Sequence, residues 1–243
     1  LGKMVCEINL SGNVFTTLQN LDAVFQSWAI EPQRIGFSAD RNFEMQTRCT
    51  LLQTEAFVMQ YVSRKARMKG FLEGECVILG PSTIESKSVL GLNVMIGYPV
   101  RNKIHALRFS KKFSVKDYDK VSAGAQIGDN CIIRSGTIIY ENAKLGNQVE
   151  TGHNVLIREG STIGNETRIG SGAQLDGTVK VGKNVSIQSN VYLPHLSTIE
   201  NDVFLGPRVV VTNDPYPPSK RRQGVVVEEG AAIGANACIV VPA

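Results

Sequence analysis

From Val115 to Val211 every sixth residue is Val, Ile or Leu, with the single exception of Thr151. The residue two before each of these markers is small or β-branched, as at Ala125, Cys131, Thr137, Ala143 and Ser161, and the residue after it is often glycine, as at Gly128, Gly146, Gly164 and Gly170. A period of six matches neither the 3.6-residue repeat of an amphipathic helix nor the plain alternation of a meander. It predicts short strands separated by turns, with the marker and the small residue two before it facing one interior. Fixed hexapeptide repeats of this kind are read as a parallel β-helix, three hexads making a triangular coil of about 18 residues. Ile157 is therefore expected beneath Leu175, and Leu175 beneath Leu193.

The array is interrupted twice. An earlier repeat, Ile78, Ile84, Leu90 and Ile96, keeps the same period but is offset by one, so residues 98–114 are expected to leave the helix and return out of register. After Val211 the markers resume at Val227, Ile233 and Ile239, which makes residues 212–226 (TNDPYPPSKRRQGVV) a proline-rich loop thrown from one corner. Residues 1–69 do not share the repeat. This unassigned segment is read as partly helical, at LDAVFQSWA and over residues 50–68, or as extraneous to the fold. Residues 70–243 form the β-helix domain, and a polypeptide begun at Met68 is expected to fold alone. The last coil stops at Val241, Pro242 and Ala243, as if the C-terminus were truncated.

Composition adds little to this all-β reading. Aromatic residues make up only 7% of the 243, which suits a narrow prism filled with aliphatic side chains. The net charge of +4 is mild, and the basic groups at Arg64, Lys65, Arg67 and Lys69, at Lys111 and Lys112, and at Lys220, Arg221 and Arg222 form no broad stripe, so nucleic acid is not an expected partner. Cys6, Cys49, Cys76, Cys131 and Cys238 are odd in number and scattered without a CxxC. They are read as small thiols, Cys76 and Cys131 in interior slots, in a reducing cytoplasm. No signal peptide and no apolar run long enough for membrane insertion is seen.

Stacking turns residues 18 apart into columns. Asn147, Asn165, Lys183 and Asn201 make one corner, with ordinary turn chemistry. A second stacks Ser135, His153, Ser171 and Ser189 beside Gly136, Asn154, Gly172, Asn190 and Arg208. The third stacks Glu141, Glu159, Gly177, His195 and Asn213, and the long loop departs from it. His153 stands out because it coincides with Thr151, the one polar marker. It is either a solvated turn residue or a general base, histidine being the side chain that titrates nearest neutral pH. His105, inside the excursion, and His195, beside Pro194, are weaker candidates. Glu141 and Glu159 read equally as paired carboxylates or as a solvated edge. The three histidines are too widely spaced for one segment to supply two metal ligands, so no metal is expected.

The stretches IGDNCIIRSGTIIYENAKLG (127–146), TGHNVLIREGSTIG (151–164), VSIQSNVYLP (185–194) and VFLGPRVVVTNDPYPPSK (203–220) resemble the hexapeptide-repeat acyltransferases, whose fold is a left-handed parallel β-helix. The likeness is strongest to the branch that acetylates amino sugars on nucleotide carriers, and it covers residues 70–243. It implies a homotrimer with active sites between neighbouring prisms and acetyl-CoA as co-substrate. Transfer to the amine of a nucleotide-linked amino sugar in surface-polysaccharide (lipopolysaccharide) precursor synthesis is the activity it implies. The amine attacks the thioester directly, so the protein aligns the pair and accepts a proton. On this resemblance the expected catalytic residues are His153, oriented by Asn154, and Glu141. Asn190, Asn213, Asp214 and Tyr216 are the expected sugar contacts, and Arg208, Lys220 and Gly234 the expected cofactor contacts. Sugar O-acetyl transfer, a non-catalytic assembly subunit and a zinc hydratase are the competing readings of the same scaffold.

Overall fold

The computed structural model describes residues 60–108, 114–214 and 224–240. The chain divides into two units, 1–58 and 59–243, and the second holds the repeats. The helix expected at LDAVFQSWA, Cys6 and Cys49 lie outside the described residues.

The described chain winds as a triangular prism of parallel strands, most of them two residues long. Its first face carries nine strands, from Tyr61–Val62 to Cys238–Ile239; the second carries eight, from Arg67–Met68 to Val226–Val227; the third carries eight, from Phe71–Leu72 to Ala232–Ile233. We call the turn leaving each face its corner. Ile157 pairs with Leu175 and Leu175 with Leu193, as the period requires. Each marker and the small residue two before it face the axis, so Ile139, Ile157, Leu175 and Leu193 are fully buried alongside Val155, Ala173 and Val191. Cys76 and Cys131 fill interior slots with free thiols. Burial raises the pKa of both thiols and so disfavours the reactive thiolate.

Two boundaries differ from the sequence reading. Rungs are already present at the start of the described residues, so the described end of the helix expected over 50–68 is instead two rungs, Tyr61–Val62 and Arg67–Met68. A chain begun at Met68 loses the first of them. Val115 and Val121, counted as the first two markers, are not rungs at all. They bracket a helix, α2 (Val115–Val121), that comes after α1 (Arg101–Leu107) within the excursion. Two valines six apart fit a seven-residue helix as well as two hexads, and the deciding signal was local: Ser114 and Asp117 form a capping box. The true array resumes at Ile127, which stacks on Ile84, and Ile133 stacks on Leu90.

Both interruptions leave from the first corner. The excursion departs after Met95–Tyr98 on the first face and rejoins at Gln126–Ile127 on the second. The later loop departs after Val210–Val211 on the first face and rejoins at Val226–Val227 on the second. No helix among the described residues is long and apolar enough to cross a membrane.

Candidate functional site

At most corners a residue that tolerates positive φ takes the left-handed position. Asn130, Asn142, Asn154, Asn184, Asn190 and Gly172 do so, with φ between 53° and 70°. Long polar side chains take it at Lys87, Gln148, Glu166 and Arg208, and at the first corner the position falls to Thr178 at φ 45° and Leu196 at φ 72° in consecutive coils. A β-branched residue at positive φ is a genuine outlier, and strain of this kind costs about 1–3 kcal/mol. A second anomaly lies one coil above. Thr212 Oγ1 is a buried polar atom without a hydrogen-bond partner, an uncommon arrangement that needs an explanation in a native structure.

Between these strained turns sits His195. Its Nδ1 lies 2.9 Å from Thr178 Oγ1 and 3.1 Å from the carbonyl oxygen of Gly177. With the ring proton on Nδ1, both the Gly177 carbonyl and the Thr178 hydroxyl accept from the same donor. Nε2 is left with its lone pair, which is the form of imidazole that takes up a proton. Asn213, one coil above, donates from Nδ2 to the His195 carbonyl at 3.4 Å. Gly177 leaves a gap beside the ring: a methyl there would lie 3.4 Å from His195 Nδ1 and 3.6 Å from Glu159 Oε1.

Across the gap, Arg158 is grasped by two carboxylates. Its Nε and Nη2 donate to Glu159 at 3.1 and 2.8 Å, and its Nη1 donates to Asp176. Burial alone would lower the arginine pKa, but the bond to Asp176 and the charges of both carboxylates raise it instead. The guanidinium lies 5.7 Å from the centroid of the Tyr140 ring. Tyr140 meets Tyr98 edge-on at 5.0 Å, and Tyr98 stacks on Tyr118 of α2 at 5.7 Å. Burial, and then the neighbouring phenol of Tyr118, push the Tyr98 pKa up to about 12.

Glu141 has a different task from the one expected. It is buried to 1% exposure and accepts from Val100 N at 3.1 Å, Lys103 Nζ at 2.7 Å and Ala123 N at 2.5 Å. Val100 and Lys103 begin the excursion and Ala123 ends it, so one carboxylate staples both ends to the prism. It has no free face for a substrate, and the expectation that it is catalytic is corrected.

His153 is on the third corner, across the first face from His195. It is exposed, its backbone N–H donates to Ser171 Oγ at 3.0 Å and its carbonyl accepts from Gly172 N at 2.9 Å, and it rims a depression of about 250 Å³. Asn154 does not orient it. At φ 55° Asn154 holds the turn, and its carboxamide covers Gly136, where a methyl would come 2.1 Å from Oδ1. Asn190 covers Gly172 in the same way, and Arg208 takes the same turn position in the next coil at φ 61°. Gly234 is exposed, with nothing within 4 Å of the position a side chain would take. Tyr216 and Lys220 lie outside the described residues. The expected residues therefore fall on two edges of the first face rather than in one cluster. Thr178, Arg158 and Asp176 were missed, because nothing local marks them; a threonine held at positive φ is visible only in the fold. Among the described residues no group of three His, Cys, Asp or Glu is arranged to hold a metal ion.

Residues 124–159 and 160–195 match the family described as bacterial transferase hexapeptide (six repeats). Residues 124–195 are built from these repeats. The fold is the left-handed parallel β-helix of hexapeptide proteins. No curated protein sequence matches the chain. Among solved structures, the UDP-N-acetylglucosamine O-acyltransferase (LpxA) from Moraxella catarrhalis RH4 aligns at 16% identity over 72% of this chain and 66% of that one, with a TM-score of 0.31.

Proposed function

We propose that the protein is an acyl-CoA-dependent acetyltransferase that acylates the amine of a nucleotide-linked amino sugar. The observation that carries the reading is His195, whose Nδ1 is anchored on Gly177 O and Thr178 Oγ1, so that Nε2 is the ring nitrogen left for a substrate proton. The hexapeptide-transferase match supports the reaction class.

In this reading the acceptor nitrogen attacks the thioester carbonyl of acetyl-CoA. The C–N bond forms, the C–S bond breaks, and coenzyme A leaves as the thiol. His195 Nε2 takes the proton that the attacking amine loses and passes it to the departing sulfur, a contribution typically of 10²–10⁴ in rate. Asn213 steadies the His195 backbone and Thr178 fixes the ring. The proton acceptor is assigned to His195 ahead of His153, whose ring has no partner among the described residues. Assembly as a homotrimer, which the family resemblance implies, sets the third corner of one copy, with His153, Asn190 and Arg208, towards the first corner of the next.

A thiol-release assay with acetyl-CoA against a panel of UDP- and dTDP-linked amino sugars tests the proposal. Release with at least one amine acceptor is expected. Release with hydroxyl analogues alone moves the protein to the O-acetyltransferases, and silence with every acceptor removes the enzymatic reading.

A further inference from the structure

The third face holds a depression that the proton transfer at His195 does not use, at the corner which the trimer reading turns towards the next copy. The depression, of about 250 Å³, has Val89, Ile132 and Gly91 along its floor. Arg134, Ser135 and His153 stand on one rim and Glu73 on the other. Nothing described pairs these side chains. The Arg134 guanidinium has no carboxylate within 4 Å among the described residues, whereas Arg158, at the first corner, holds two. Gly91 has to be a glycine, since a methyl there would come 2.7 Å from Ser135 N, and so the floor stays flat.

Thr151, the one polar marker, lies directly behind this rim. In the equivalent position of other coils the backbone N–H donates to the marker carbonyl one coil above: Gly91 to Ile133, Gly152 to Ile169, Gly170 to Ile187, Gln188 to Leu205 and Gly206 to Ile233. Arg134 is the departure. Its N–H goes to Thr151 Oγ1 at 3.0 Å. Thr137 Oγ1 lies 3.4 Å from the same hydroxyl. A buried polar side chain on the axis of an aliphatic prism carries a desolvation cost unless it is bonded, and here the bond sets the backbone of Arg134.

We propose that this depression is a binding site for a small sugar phosphate, distinct from the first-corner site. A phosphate monoester meets Arg134 through paired N–H donors and is reached by His153 and Ser135, while sugar hydroxyls donate to Glu73 on the far rim. The volume is below that of a typical drug-sized pocket, which suits a monosaccharide rather than a whole nucleotide. Thr151 is a positioning residue for Arg134. The site lies three coils from His195, about 14 Å along the axis, and does not depend on the proposed activity.

Calorimetric titration with glucose 1-phosphate, inorganic phosphate and glucose tests it. Glucose 1-phosphate is expected to bind more tightly than phosphate, and glucose not at all. Arg134→Gln, an exposed substitution that leaves the prism intact, is expected to weaken glucose 1-phosphate about ten- to hundredfold, the usual worth of a hydrogen bond to a charged group. Glu73→Gln should bring its affinity down towards that of inorganic phosphate, and Thr151→Val should weaken it while leaving Glu73 in place. His195→Ala should bind glucose 1-phosphate as the wild type does, so loss of transferase function and loss of this site are separable. Equal affinity for phosphate and glucose 1-phosphate, or wild-type affinity in Arg134→Gln, overturns the proposal.

Discussion

Single carboxylates and hydroxyls decide how the outer features attach to the prism. Replacing Glu141 with Ala leaves the half-buried Val100 N and the exposed Ala123 N without their acceptor, and a hydrogen bond to a charged group contributes about 1.5–3 kcal/mol. Glu141→Ala is therefore expected to lower stability by about 2–5 kcal/mol in urea unfolding, with Glu141→Gln recovering part of the loss. Tyr98 gives a second residue-scale test. Its folded pKa of about 12 lies above the usual 10, so its contribution is complete below pH 10 and is lost as pH rises towards 12. An ultraviolet titration should show one phenol still protonated at about pH 11 after the exposed tyrosines ionise. At this scale the sequence was partly legible. Thr151 announced itself by breaking an aliphatic period, and its place behind the third corner comes from counting alone. His195 did not, because its chemistry rests on a carbonyl 18 residues away that only the stacking brings within reach. Glu141 looked like an active carboxylate because its partners lie in an excursion whose path the period does not describe.

At the scale of elements, the rungs were legible and the excursion was not. A period of six identifies every strand from Gln126–Ile127 to Val210–Val211, because each rung repeats the same inward pair. Helices α1 and α2 each have seven residues and no buried side chain, so they leave no hydrophobic stripe for a sequence reading to detect. Their attachment is polar. Asp119 of α2 accepts from Gly80 N at 2.7 Å. Burial would raise its pKa, yet bonds from Ser63, Gly80 and Tyr61 bring it below the ordinary carboxylate value. A depressed pKa contributes stability above the unfolded value of about 3.9 that is lost as pH falls through the folded one. Amide hydrogen exchange in α2 is therefore expected to quicken below about pH 4 in the wild type, and at neutral pH in Asp119→Asn. The core rungs behave differently: Leu175→Ala, at 0% exposure, should cost about 2–5 kcal/mol wherever the excursion sits.

For the whole described unit, the fold and the placement of function separate cleanly. The prism is specified by repetition, and its corners are interchangeable until a coil departs from the rule. The first corner combines a β-branched and an aliphatic residue at positive φ, Thr178 and Leu196, with Thr212 Oγ1 unpartnered among the described residues and with both long connections. A rigid scaffold that sends its loops from one edge is a common way to carry function. If the site is completed by neighbouring copies, sedimentation equilibrium should return three times the chain mass of 26.4 kDa; a monomer at assay concentrations contradicts a shared site. The central claim, that His195 accepts the proton in acyl transfer, is tested most directly by steady-state turnover of His195→Ala beside His153→Ala with the same amine acceptor. The account predicts a fall in kcat of about 10²–10⁴ for His195→Ala, with the melting temperature unchanged, and a kcat for His153→Ala close to that of the wild type. Wild-type turnover in His195→Ala, with the loss appearing in His153→Ala, would contradict it.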